Sequence, residues 1–191
     1  MKRVVFVMLF VMVLAPAAWA QVPFVPSFEI GVGGGLNMPM GDIGDGMNNG
    51  YNFNASVGYS FVPMFVIGAE FGIFGNGGTD EVIAALGPNG DFNMTAQQFT
   101  AMVKYVLPVA VHNFYGKGLA GAYRMSSDVE SSLGNFEVSD TKFGFGLGGG
   151  FQFKGMSSAA VYAEGIYHRI SGETSDGEFA TFNLGVLFSF N

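Results

Sequence analysis

The end of the chain alternates without a break. In the segment Thr181-Phe182-Asn183-Leu184-Gly185-Val186-Leu187-Phe188-Ser189-Phe190-Asn191, the side chains of Phe182, Leu184, Val186, Phe188 and Phe190 fall on one face of an extended strand. The opposite face carries mostly small or polar residues. Successive side chains of a strand point to opposite sides of the sheet, so this segment has one greasy surface and one wetter one. A soluble sandwich or lipocalin-like barrel also shows period-two strands, but its polar face lies in water and carries many Lys and Glu. Here only 12% of the chain is charged, and Gly and Phe together supply 51 residues. Large apolar groups on one face and Gly, Ser, Asn and Thr on the other suit a sheet that meets lipid outside and closes on itself.

Seven further runs carry the same period. Their outward sets are Phe28, Ile30, Val32 and Leu36, then Tyr51, Phe53, Ala55, Val57, Tyr59 and Phe61, then Phe65, Ile67, Ala69, Phe71 and Ile73, then Phe99, Ala101, Val103 and Tyr105. The fifth run, 114–124, is rich in Gly and Ala and shows no readable phase. In the sixth, Phe143, Phe145, Leu147, Phe151 and Phe153 alternate with Gly144, Gly146, Gly148, Gly150 and Gln152, and the seventh presents Val161, Ala163, Gly165 and Tyr167. Each run is near the ~9–11 residues of a tilted membrane strand. The connections support the count: 39–50, 76–94, 125–140 and 172–178 are long, whereas 62–64, 107–113 and 155–158 are shorter. Alternating long and short connections are expected of extracellular loops and periplasmic turns when both termini lie in the periplasm. Within 76–94, the stretch 80–87 predicts one short helical turn stopped by Gly87. The fold expected is all-β: an eight-stranded antiparallel up-and-down transmembrane barrel over residues 21–191.

Residues 1–20 read as a secretory signal. Lys2 and Arg3 precede an apolar run from Val4 to Leu14, and Ala18-Trp19-Ala20 supplies a small-x-small cleavage site. The apolar run is too short for a spanning helix of ~20 residues. Loss of Lys2 and Arg3 leaves 6 basic against 15 acidic side chains, a net charge of −9 that argues against a nucleic-acid partner. Zero Cys excludes disulfides, thiolate metal sites and a lipid-anchored N-terminus.

Motifs for chemistry are scarce. Gly144 to Gly149 fits G-x-G-x-x-G, but strand alternation continues through it to Phe153, where a nucleotide fingerprint must open a helix. His168 and Ser171 are three residues apart and face opposite sides of a strand, and His112 belongs to the other end of the barrel. No catalytic residue, cofactor or metal site is expected. The inward face gathers Glu29, Glu70, Glu164, Lys104, Lys142 and Lys154, with Glu70 paired to Lys104 and Glu164 to Lys154 across neighbouring strands. Those charges read either as a stabilising plug or as the lining of a narrow pore, and the glycines at 31, 33, 35, 144, 146, 148 and 150 predict a thin, wet lumen. Twelve of the 15 acids fall in the four long connections, which contain no Lys or Arg.

On these runs and the closing strand, the chain resembles the eight-stranded outer-membrane barrels of Gram-negative bacteria, the group of OmpX, OmpW and the membrane domain of OmpA. The resemblance implies a bacterial outer-membrane location, lipid and lipopolysaccharide as surroundings, and insertion by the barrel-assembly machinery. Phe182, Leu184, Val186, Phe188 and Phe190 would be the assembly signal, although Asn191 follows the usual terminal Phe. The function expected is a monomeric structural or surface protein with acidic extracellular loops, serving envelope integrity or attachment, and not an enzyme. The alternative is a narrow channel for small or hydrophobic solutes. The lone Trp19 lies in the signal, so purified mature protein should show no tryptophan fluorescence; clear emission would place cleavage elsewhere.

Overall fold

The computed structural model describes residues 25–87, 90–109, 112–131, 134–154, 158–171 and 177–190. The expected signal at 1–20 and Asn191 lie outside the described residues. The strands are β1 (Ser27–Met40), β2 (Gly50–Val62), β3 (Phe65–Gly77), β4 (Asp91–Val109), β5 (His112–Ser131), β6 (Gly134–Lys154), β7 (Ala159–Ile170) and β8 (Gly177–Phe190). Each pairs antiparallel with its neighbour in sequence, and β1 also pairs with β8, which closes an eight-stranded barrel. At the seam, Val32 stands opposite Ala55 on one side and Val186 on the other.

The alternation sorts side chains as lipid requires. Leu147 and Leu184 are 68% and 69% exposed on the outer wall, with Phe53, Phe99, Phe143 and Phe182 also exposed. Hydrocarbon-facing backbone must have all its polar groups bonded internally, and the closed ladder meets that condition where large apolar residues line the outside. Aromatic pairs gather near the end that holds the termini: Phe28 with Tyr59 at 4.7 Å and Phe65 with Tyr105 at 4.9 Å between ring centroids. Such girdles mark the membrane interface.

The phase of β5 is settled by burial. Tyr115, Lys117, Leu119 and Tyr123 point inward, while Gly116, Ala120 and Ala122 face outward. From Gly116 to Tyr123 this strand has small residues outside and mostly bulky ones inside, the reverse of β6, which is why its sequence carries no aromatic stripe to read.

Two short helices sit in the first and second long connections. They are α1 (Gly41–Gly44) and α2 (Asp80–Ala85), the latter followed by Gly87 at φ +93°, a left-handed conformation suited to Gly at a helix end. The third long connection is not a loop. The ladder between β5 and β6 runs uninterrupted to Ser131 opposite Gly134, and β4 joins it as far as Asp91 opposite Glu130. β6 meets β7 only from Gly144, opposite Ile170. A three-stranded ribbon from β4, β5 and β6 therefore rises beyond the closed wall. Were this ribbon extracellular, a Cys placed at Ser139 should react with an impermeant maleimide on intact cells and one at Ser158 should not; the opposite labelling would reverse the orientation.

Candidate functional site: the filled lumen and the ribbon above it

The strands bring Glu29, Glu70, Lys104 and Glu164 into the lumen. Lys104 is ion-paired with Glu29, not with Glu70 as its neighbouring strand suggests. In the register of β3 and β4, Lys104 stands opposite Val66, and Glu70 lies four residues farther along β3. That offset is about 13 Å along a strand. Glu70 instead meets Lys117, whose Nζ lies 2.5 Å from Glu70 Oε2 and 3.0 Å from Glu164 Oε2. Tyr115 Oη donates to Glu164 Oε2 at 2.9 Å, and Asn183 Nδ2 donates to Glu164 Oε1 at 3.2 Å. Gln98 Nε2 donates to Glu70 Oε1 at 3.3 Å and to Thr100 Oγ1 at 2.9 Å. The expected partner of Glu164, Lys154, has its side chain outside the described set. Lys142 stays at the rim, 3.5 Å from Asp140.

Lys117 is the residue that sequence reasoning missed. Its run showed no phase, yet a pattern of bulky residues at 115, 117, 119 and 123 against Gly or Ala at 116, 118, 120 and 122 was there to be read once small residues are allowed on the lipid face. Buried ions tolerate desolvation only when paired and hydrogen-bonded, and Lys117 serves two carboxylates at once.

Toward the ribbon end, the charged centre gives way to an aromatic one. His168 stacks on Phe179, with ring centroids 4.6 Å apart, and its Nδ1 lies 3.0 Å from Tyr123 Oη. Phe74 packs edge-on against His168 and at 4.9 Å from Phe179. His168 is buried and Ser171 exposed, with the Ser171 backbone N–H donating to Phe143 O; the two side chains do not meet.

The glycine stripes do not leave the lumen thin. A Cβ at Gly144 would lie 2.8 Å from the Tyr123 ring, and one at Gly146 would lie 3.1 Å from His168 Nδ1 and 3.2 Å from Leu119. Gly150 accommodates Tyr115 Oη, while Gly33 and Gly185 accommodate Tyr162, which donates to Asn54 Oδ1 at 2.9 Å. The glycines are the counterparts of large inward side chains from other strands. A cavity bounded by Lys104, Tyr115, Lys117 and Glu164 measures about 20 Å³, room for one water. Leucines at Gly146 and Gly148 would collide with this packing instead of filling an open channel. Among the described residues, no three His, Cys, Asp or Glu stand in a metal-binding group.

On β8, Phe182, Leu184, Phe188 and Phe190 are exposed on the lipid face and Val186 is half-buried there. Residues 6–190 match the family model described as the outer membrane protein beta-barrel domain. The chain belongs to that family. It is an outer-membrane protein of the Gram-negative envelope, with a lipid-facing wall. No protein of curated function matches it in sequence. Among solved structures it is similar to Neisserial surface protein A, at 15% identity and a TM-score of 0.64, covering 87% of this chain and 100% of that one. It is also similar to Ail, the attachment invasion locus protein of Yersinia pestis, at 20% identity and a TM-score of 0.59, with 87% and 100% covered. OprG of Pseudomonas aeruginosa aligns at 12% identity and a TM-score of 0.54, over 85% of this chain and 96% of that one. At these identities the likeness is one of fold.

The plug predicts its own energetics. Lys117→Met would leave Glu70 and Glu164 buried without a counter-charge and should destabilise the refolded barrel by about 3–5 kcal/mol in urea. Adding Glu70→Gln and Glu164→Gln should recover most of that loss. An unchanged urea midpoint for Lys117→Met would show that the ion triad does not hold the lumen together.

Proposed function

We propose that the protein works at the cell surface through its acidic extracellular crown, in attachment or envelope integrity, with the barrel as its anchor. The single observation that carries this reading is the ribbon: β4, β5 and β6 spend up to ten residues of ladder beyond the wall that lipid requires. A closed barrel needs none of it to span the membrane. Exposed acids cover this end of the molecule, including Asp45, Asp80, Glu81, Asp91, Asp128 and Glu137. A crown of one sign favours partners of the other.

The packing of the lumen supports the surface reading over the channel. An eight-stranded barrel is just wide enough for side chains to fill, and tyrosines from β5 and β7 occupy the space the glycines vacate. Two of the similar proteins are described as a surface protein and an attachment invasion locus protein. One Ail structure holds the heparin analogue sucrose octasulfate, at 21% identity over 86% of this chain and 97% of that one with a TM-score of 0.55. A polyanion of that kind does not suit the acidic crown here, so the partner class is cationic. The same reading includes a cleaved signal at 1–20, a monomeric barrel, lipopolysaccharide against the outer wall, and assembly machinery that recognises the alternation from Phe182 to Phe190.

Proteoliposomes carrying the protein should adhere to a polylysine-coated surface, and joining Ser126 to Ser139 through a two-residue turn should abolish adhesion while heat-modifiable migration persists. Planar bilayers should show no stepwise conductance. Conductance that changes with Glu70→Gln, together with adhesion indifferent to the truncation, would favour the channel instead.

A further inference from the structure

We propose that the lumen binds a monovalent alkali cation at the seam where the barrel closes, through the side-chain oxygens of Asn37, Asn52 and Asn183. The site is separate from the acidic crown and does not rest on the surface-attachment reading.

The three side chains meet around a glycine. In the register, Gly35 of β1 stands opposite Asn52 of β2 on one side and Asn183 of β8 on the other, and Asn37 is the next inward residue on β1 itself. Asn37, Asn52 and Asn183 are 2%, 1% and 4% exposed, and Gly35 sets no side chain between them. A Cβ there would collide with the backbone of Phe182 and Asn183, so β1 and β8 approach closely at this height. The Oδ1 atoms of all three asparagines are buried with no hydrogen-bond donor among the described residues. Turning the amides over does not help, because each Nδ2 is already committed. Asn52 Nδ2 donates to Leu36 O at 2.9 Å, and Asn183 Nδ2 donates to Glu164 Oε1 at 3.2 Å. Asn37 Nδ2 donates to Asn76 Oδ1 at 2.5 Å, and Asn76 Nδ2 donates in turn to Asn48 O at 2.9 Å. A flip at any of the three would set oxygen against oxygen.

A buried acceptor without a donor is costly, and here three are locked in place. One water has two protons and leaves the third oxygen unmatched, whereas a cation takes lone pairs from all three at once. Charge favours the cation as well. Among the described lumen side chains, the carboxylates of Glu29, Glu70 and Glu164 face the ammonium groups of Lys104 and Lys117, which leaves one negative charge in excess. Glu164 is the carboxylate that bonds the Asn183 amide, so the excess lies beside the site. Asparagine carbonyls are ligands for hard cations, and carbonyl oxygens replace the hydration shell of alkali ions in channel filters. Neutral ligands with a single excess charge suit a monovalent ion better than a divalent one. The ion would tie β8 to β1 and β2 across the closing seam.

The test uses the refolded protein in detergent micelles, with its urea midpoint measured in sodium, potassium or rubidium chloride. The control is N-methylglucamine chloride at equal ionic strength, whose cation is too large to enter. The midpoint of the unmodified protein should rise as the alkali ion is raised, because the ion binds the folded state alone. Crystals soaked in rubidium chloride should give an anomalous peak between the three Oδ1 atoms. Asn52→Leu removes one ligand and should abolish the alkali-specific rise. Glu164→Gln keeps an oxygen for Asn183 and Tyr115 but removes the charge beside the site, and should weaken ion binding about tenfold; it decides the matter should Asn52→Leu fail to refold. Midpoints that follow ionic strength alone, an alkali-specific rise unchanged by Glu164→Gln, or density for water with no rubidium signal would each overturn the proposal. Adhesion to polylysine tests the crown separately and is unaffected by any of these outcomes.

Discussion

In hydrocarbon, no backbone N–H or C=O can be left without a partner, because no water replaces the missing bond. Closure of β1 on β8 answers that constraint, and most of the remaining structure is a consequence of it. An open sheet would expose two edges to lipid; eight tilted strands expose none, at the expense of an interior too narrow to be a generous channel. The same constraint lapses beyond the membrane. There the chain departs from closure, and among the described residues β7 pairs with β6 only as far as Gly144. Where closure ends is thus set by the membrane boundary as much as by sequence.

Closing the sheet also fixes how the inside must be filled. Each strand contributes every second residue to a shared core, so a large side chain on one strand requires a small one on another. Tyr123 lies against Gly144, Tyr115 against Gly150, and Tyr162 against Gly33 and Gly185. This complementarity lets three tyrosines and a histidine fit at successive heights of a lumen that could not accept them beside larger neighbours. The charges obey a similar economy. Lys117 alone neutralises much of two carboxylates, and Tyr115, Gln98 and Asn183 bond the oxygens that it does not fully satisfy.

Much of this was legible in the sequence, for physical reasons that also explain what was not. The strands with aromatic outer faces, β6 and β8 above all, declare their phase because lipid rewards large apolar groups and the lumen cannot hold them. β5 hides its phase because Gly and Ala are tolerated on either face, and Lys117 was lost with it. Alternation identifies which side of the sheet a charge occupies but not its height along the tilted wall, so Lys104 was matched to Glu70 by adjacency when register gives it Glu29. The glycine stripes were visible, but the bulk that meets them comes from strands distant in sequence. Read one strand at a time, they resembled empty space.

The hairpin of β5 and β6 was mistaken for a loop for a related reason. Above the membrane the outward face is no longer lipid-facing, so its residues change from Phe143 to Thr141, Ser139 and Glu137 without any break in the strand. Loss of hydrophobic alternation marks the end of the membrane, not the end of the ladder. The inner face keeps Val138 and Phe136 at the same period, and it is this continued alternation with the polar Glu137, Ser139 and Thr141 that distinguishes a paired ribbon from a loop. A chain that needed only a connection between two strands could have turned near Met125. By carrying the pairing to Ser131, it holds Asp128 and Glu137 against each other at a fixed distance from the wall, a cost in like-charge repulsion that the barrel does not require and that a cationic partner would relieve.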